Sequence, residues 1–216
     1  MRSIIIFLVG SILLLSACAS TIPMTTKMND AIMMGIKTSQ SKTIGYEYTS
    51  NVVDGTIKPC LKDTRDVQPG HPGYTHNESV TLDKMLRDYL SMKFNSVDNS
   101  SEPKIKVVLK DFWLEQYSPD SNAKKWLTAL GGGELNVIIV ANLDLVYEIS
   151  KGGTSVTKAV RVSGDSTHVT GAGTGTSTSN VYRGKESIEF EVADAINTAN
   201  NKALAMLNQF IESNQM

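Results

Sequence analysis

Between Leu135 and Ile149 every odd position is apolar: Leu135, Val137, Ile139, Ala141, Leu143, Leu145, Tyr147 and Ile149. The even positions include Asn136, Asn142, Asp144 and Glu148. Successive side chains of a strand point to opposite faces, so this alternation describes a long strand, about Glu134 to Ile149, with one buried and one wet face. One-sided burial of that kind belongs to antiparallel sheets, because parallel sheets are covered on both faces.

The flanking segments supply the strand's neighbours. Lys151-Gly152-Gly153 reads as a hairpin turn, and Thr154 to Val169 returns with Val156, Val160 and Val162 in phase. Upstream, Lys104 to Tyr117 alternates, with Ile105, Val107, Leu109 and Trp113 expected on one face. A first strand is expected from about Thr49 to Leu61, ahead of Lys62-Asp63-Thr64-Arg65 and the loop Gln68-Pro69-Gly70-His71-Pro72-Gly73. Leu82, Met85, Leu86, Tyr89 and Leu90 recur at helical spacing, with Thr81 as the expected N-cap and Asp83 in the first turn. Asn95 to Pro103 reads as a polar connection. Val192, Ile196, Ala199, Ala203, Met206, Leu207 and Phe210 mark a long amphipathic helix from about Glu186 to Ser213. The order is β-α-β-β-β-α. Each helix has one apolar stripe to bury, which predicts an α+β fold: a mostly antiparallel four-stranded sheet with two helices on one face.

The N-terminus is organised differently. Met1-Arg2 gives a positive start, Ile4 to Leu15 is almost unbroken apolar sequence, and small residues lead to Cys18. That succession is the anatomy of a signal peptide. The apolar run falls short of the about 20 residues that span a bilayer. Leu15-Ser16-Ala17-Cys18 resembles the lipobox of bacterial lipoproteins, which implies cleavage after residue 17 and lipidation of Cys18. Two or more acyl chains make such anchoring stable, whereas one does not. Ala19, in place of aspartate after the cysteine, implies by analogy with enteric sorting an outer-membrane destination with the domain in the periplasm. The expected division is therefore residues 1–17 as signal, 18–43 as lipidated N-terminus and polar tether, and 44–216 as a single domain.

Removing Arg2 with the signal leaves 20 basic residues against 22 acidic ones. That balance provides no field for collecting nucleic acid. Cys60 is then a single thiol without an intramolecular partner. It is expected as a buried, inert strand residue, with an inter-chain disulfide or a catalytic thiol as the alternatives. His71 and His76 are expected as exposed loop residues, since a metal site needs three or four converging ligands and only Glu78 lies nearby. Gly171-Ala172-Gly173-Thr174-Gly175-Thr176 lacks the downstream Lys-Ser/Thr of a phosphate loop and reads as a connection. Asp63 and Arg65, two residues apart, are expected on one side of the first strand's end, and Asp111, Glu115, Asp144 and Glu148 on a solvated face. No Gly-x-Ser-x-Gly elbow occurs. These readings assign no catalytic residue, metal or cofactor.

The segment Ser121 to Leu130 is the candidate contact site. A short helix here places Trp126, Leu127 and Leu130 on one side and Lys124-Lys125 at its start. Tryptophan beside lysines suits a membrane interface or a partner's groove, and the alternative is a tryptophan capping the core beneath a sheet end.

The succession of lipobox, polar tether, Asp63-Thr64-Arg65, amphipathic helix, long strands and Ala-rich C-terminal helix resembles the YajG-like family of bacterial lipoproteins. The similar pieces are Leu82-Asp83-Lys84-Met85-Leu86-Arg87-Asp88-Tyr89-Leu90, Ile105-Lys106-Val107-Val108-Leu109 and Ala193-Asp194-Ala195-Ile196. The likeness covers about residues 45–213 and departs at Ser118–Gly133 and Gly171–Gly184. The family has no assigned catalytic residues, so the resemblance carries none over. The expectation for this chain is a non-enzymatic lipoprotein acting by protein contacts in envelope maintenance or assembly, with a membrane and an envelope protein as partners. The layout also resembles auxiliary lipoproteins of envelope lipid-transport systems, which implies an accessory subunit.

Overall fold

The computed structural model describes residues 19–25, 27–35, 39–129, 133–171 and 188–214. In chain order the elements are β1 (Ser20–Thr21), α1 (Asp30–Gly35), β2 (Ser39–Ser50), β3 (Gly55–Ile57), β4 (Tyr74–His76), α2 (Glu78–Lys93), β5 (Phe94–Asp98), β6 (Lys104–Tyr117), α3 (Asn122–Ala129), β7 (Glu134–Lys151), β8 (Thr154–Gly171) and α4 (Ile188–Ser213). Cys18, Leu130 and most of the glycine-rich connection lie outside the described residues.

The alternating segment is strand β7, paired antiparallel along its whole length with β8 and along most of it with β6. Gly152 and Gly153 both adopt positive φ, which a two-residue turn matched to the strand twist requires. The fold is α+β, but the expected four-stranded, mostly antiparallel sheet is corrected. The main sheet has five strands in the order β5-β2-β6-β7-β8, and it is mixed. β2 runs parallel to both of its neighbours, and α2 supplies the crossover that parallel pairing needs.

Two strand positions differ from expectation for a shared reason. The first strand of this sheet lies at Ser39–Ser50, upstream of Thr49–Leu61, and the polar connection after α2 begins as β5. Ile44 and Tyr46 alternate into the core and Phe94 anchors β5. Their polar neighbours hide that brief periodicity in the sequence. Residues 51–61 instead contribute the short β3 to a second sheet of order β1-β4-β3.

A register shift between Leu109 and Asp111 interrupts the β6–β7 ladder. Such an extra residue turns the strand over. Ile105, Val107 and Leu109 face the helices before it, and Phe112 and Leu114 after it. Trp113, expected on the core face, is therefore turned to the open side.

α2 and α4 bury their apolar stripes in one core with the sheet. α2 begins earlier than Thr81 suggests, because Asn77 is the cap: its Oδ1 accepts from Val80 N at 2.9 Å. α4 crosses β8 closely at Gly164, where a Cβ would stand 2.2 Å from both Ala195 O and Ala199 N. The segment expected as tether is in part laid on the domain. Ser20 and Thr21 pair with Tyr74 and Thr75, Ile22 is buried, and Met24, Met28 and Ile32 pack on the core. Asn197 and Asn201 of α4 donate to the backbone carbonyls of Thr25 and Lys27 at 3.0 and 3.1 Å. Apolar side chains and these two amides give the segment enough contact to order it.

Candidate functional site

The predicted contact helix forms as α3, between β6 and β7. Asp120 fastens it: one carboxylate oxygen accepts from Lys124 Nζ at 2.9 Å and the other from Asn136 N at 2.7 Å. Donation from the Asn136 backbone, then from Lys124, holds this carboxyl below its ordinary range. Ser121 starts the helix, accepting from Lys124 N on Oγ and from Lys125 N on its carbonyl. Trp126 stands 70 % exposed, whereas Lys124 and Lys125 are half-buried. The Leu127 side chain, like Leu130, lies outside what is described.

The open sheet face carries a cluster that the spacing did not reveal. Asp63 and Arg65 do not end a strand but sit in a turn at φ 64° and 60°. Cys60 bridges Val67 across that turn, and Leu61 N donates to Asp66 O. The turn swings the Arg65 guanidinium to 3.7 Å from the Trp113 ring and 2.6 Å from Asp111. Arg161 grips Asp144 through two hydrogen bonds of 2.6 and 2.7 Å and lies 5.2 Å from the same ring. The Arg161 hydrogen bonds depress the Asp144 carboxyl. Trp113 Nε1 donates to Glu115, and Ser163 to Asn142. Each carboxylate here is engaged by a guanidinium or a donor, so the solvated face works as a paired ladder rather than as an acid–base pair. Cys60 is buried and free beside it, with burial pushing its thiol up, as an inert thiol should be.

Of the two loop histidines, His76 is not exposed. It is buried at the end of β4, with Nε2 2.7 Å from Glu78 Oε2. Burial raises the Glu78 carboxyl despite that partner. Glu78 enters the core because Asn77 starts the helix one residue before it. His71 is half-buried, and its Nδ1 accepts from Gly73 N. Among the described residues no three His, Cys, Asp or Glu side chains converge as a metal site, and no helix is long and apolar enough to cross a membrane.

A groove of about 650 Å³ runs between the N-terminal segment and α4. Lys27, Asp194, Asn197 and Asn201 line it together with Met28, Ile32 and Ala205, so its walls mix polar and apolar groups.

No family model matches the chain, and no curated protein matches it in sequence. Solved structures resemble it at low identity. A DUF330 protein from Xanthomonas campestris aligns over 93 % of this chain and 100 % of its own, at 12 % identity and TM-score 0.49. The rare lipoprotein B of Shewanella oneidensis aligns over 81 % and 96 %, at 8 % and 0.38. A minor lipoprotein of Acinetobacter baumannii aligns over 80 % and 95 %, at 10 % and 0.36. At these values the likeness assigns no function.

Proposed function

We propose that this chain is a non-enzymatic envelope lipoprotein, anchored to the outer membrane through lipid on Cys18 and holding its domain in the periplasm. It acts by protein contacts in envelope maintenance or assembly. The run Ile4–Leu15 followed by Leu15-Ser16-Ala17-Cys18 carries the reading, because charge, apolar core and small-residue cleavage site stand in signal-peptide order. The folded residues support it. Ser20, two positions beyond Cys18, already belongs to the domain, so an anchor there would hold the domain close to the bilayer. On the open face Asp111 and Asp144 are held by Arg65 and Arg161, and His76 and Glu78 are sealed in the core. The YajG-like layout is one form of this proposal.

Affinity capture of the lipidated protein from gently solubilised membranes tests it, with Cys18→Ser as the unanchored control. The expected result is co-purification of outer-membrane or envelope proteins with the anchored form only. Recovery of transport-system subunits with phospholipid would replace it with the accessory-subunit reading.

A further inference from the structure

The direction in which the N-terminal segment leaves the domain follows from three contacts. Tyr74 Oη lies 3.1 Å from Gln116 Oε1, and the His76 ring lies 6.0 Å from Phe112. β4 therefore runs against β6, from its Gln116 end towards Phe112. β1 is parallel to β4, with Ser20 opposite Tyr74. Followed backwards, from Ile22 to Ala19, the chain heads for the end of the sheet where β6 finishes at Tyr117 and α3 begins. Cys18 directly precedes Ala19 in the sequence.

The same end gathers exposed aromatic surface. Trp126 of α3 is 70 % exposed and Phe190 in the first turn of α4 is 50 % exposed. Phe190 belongs to this end because its neighbour Glu191 accepts a hydrogen bond from Ser166 of β8, which lies opposite Ile139 of β7 and, across the sheet, Gln116 of β6. Leu61, beside the bridge from Cys60 to β6, and Val169, near the end of β8, are also exposed. Lys125 adds positive charge that the Asp120 carboxylate does not cancel, since both its oxygens are taken by Lys124 and Asn136. Tryptophan with lysine is the composition favoured at the headgroup level of a bilayer, where the ring sits at the apolar boundary.

We infer that the α3 end of the domain rests on the anchoring membrane, with Trp126 and Phe190 entering the interfacial layer beside Cys18. The bilayer thus holds the domain at two places, one covalent and one by aromatic insertion. That fixes the orientation: the turn of β7 and β8 at Gly152-Gly153 points away from the membrane. The inference rests on the lipid-anchored reading for the position of the bilayer.

Lipidated protein in vesicles of phosphatidylethanolamine and phosphatidylglycerol tests it, using lipids that carry a nitroxide near the headgroup. Subtracting the emission of Trp126→Phe from that of the parent isolates Trp126 from Trp113, which is 9 % exposed. The Trp126 component should shift to the blue and lose at least about half its intensity to the nitroxide, as a ring at the interface does. Emission that stays at the wavelength of a water-exposed indole, unquenched, overturns the inference and leaves the tip to a protein partner. If Cys18 proves to carry no lipid, the anchored reading itself has failed. A chain starting at Cys18, with Cys60→Ser, is then coupled through Cys18 to a maleimide phospholipid in the same vesicles, where the same two outcomes decide insertion.

Discussion

Gly164→Ala is expected to lower the melting temperature by about 6–12 °C, although it adds one methyl group to a strand. Its Cβ would stand 2.2 Å from Ala195 O and Ala199 N, and 2.8 Å from Thr198 C. These are backbone atoms of α4, so no side chain can turn aside and the helix itself must lift off β8. Ala195, Ala199 and Ala203 line the buried stripe of that helix, which shows how closely it lies on the sheet. Overpacking of this kind costs about 3 kcal/mol at the upper end of its usual range. In a domain of this size each kcal/mol moves the midpoint by about 2–4 °C. Thr157→Ala, at an exposed position on the same strand, should stay within about 0.5 kcal/mol of the parent. Thermal unfolding followed by circular dichroism compares the two. Equal midpoints for Gly164→Ala and Thr157→Ala would mean that helix and strand are not in contact at Gly164.

Tyr147 should show the largest gap between two substitutions at one site. The side chain is fully buried, its ring lies 6.2 Å from that of Phe210, and its hydroxyl donates to Ala203 O at 2.9 Å. Burial raises the phenol pKa, which keeps it neutral and a donor. Tyr147→Phe removes the hydroxyl alone and should cost about 1 kcal/mol, as one net hydrogen bond does. Ala203 lies within α4, so its carbonyl has the helix's own bonding to fall back on. Tyr147→Ala empties the space between β7 and α4 and should cost about 3–5 kcal/mol. Denaturant unfolding of both variants measures the ratio. A Phe variant as damaged as the Ala variant would move the importance of Tyr147 from its ring to its hydroxyl.

The parts of the fold legible in the sequence are those with long, unbroken period. The alternation of β7 and the stripes of α2 and α4 persist over many residues, and each lies close to where its pattern puts it. Where a pattern is broken or short, the structure departs. The extra residue between Leu109 and Asp111 changes phase within a single strand, so a straight reading assigns Trp113 to the wrong face. β2 shows only Ile44, Tyr46 and Tyr48 as its apolar alternation, which is too little to outweigh its polar neighbours. Thr81 resembles a cap as well as Asn77 does, and only the hydrogen bond to Val80 N separates them. That difference of four residues decides whether Glu78 is solvated or buried against His76. The clustering of Arg65, Trp113 and Arg161 joins residues far apart in sequence through a left-handed turn, which no local spacing announces. The α3 helix was legible because Ser121 and the step from Lys124-Lys125 to Trp126 are local signals. That Ala19 heads for the same end of the sheet emerges only when the strand directions are followed.

The central claim concerns Cys18, and the mass of the N-terminal peptide of the protein recovered from membranes tests it most directly. The account predicts a chain that begins at Cys18 and carries a diacylglyceryl thioether and an acylated amino group. Cys18→Ser should yield no such peptide, with the protein lost from the membrane fraction after the signal is removed or retained as the uncleaved precursor. A mature chain that begins elsewhere, or one with Cys18 as a free thiol, would contradict the account.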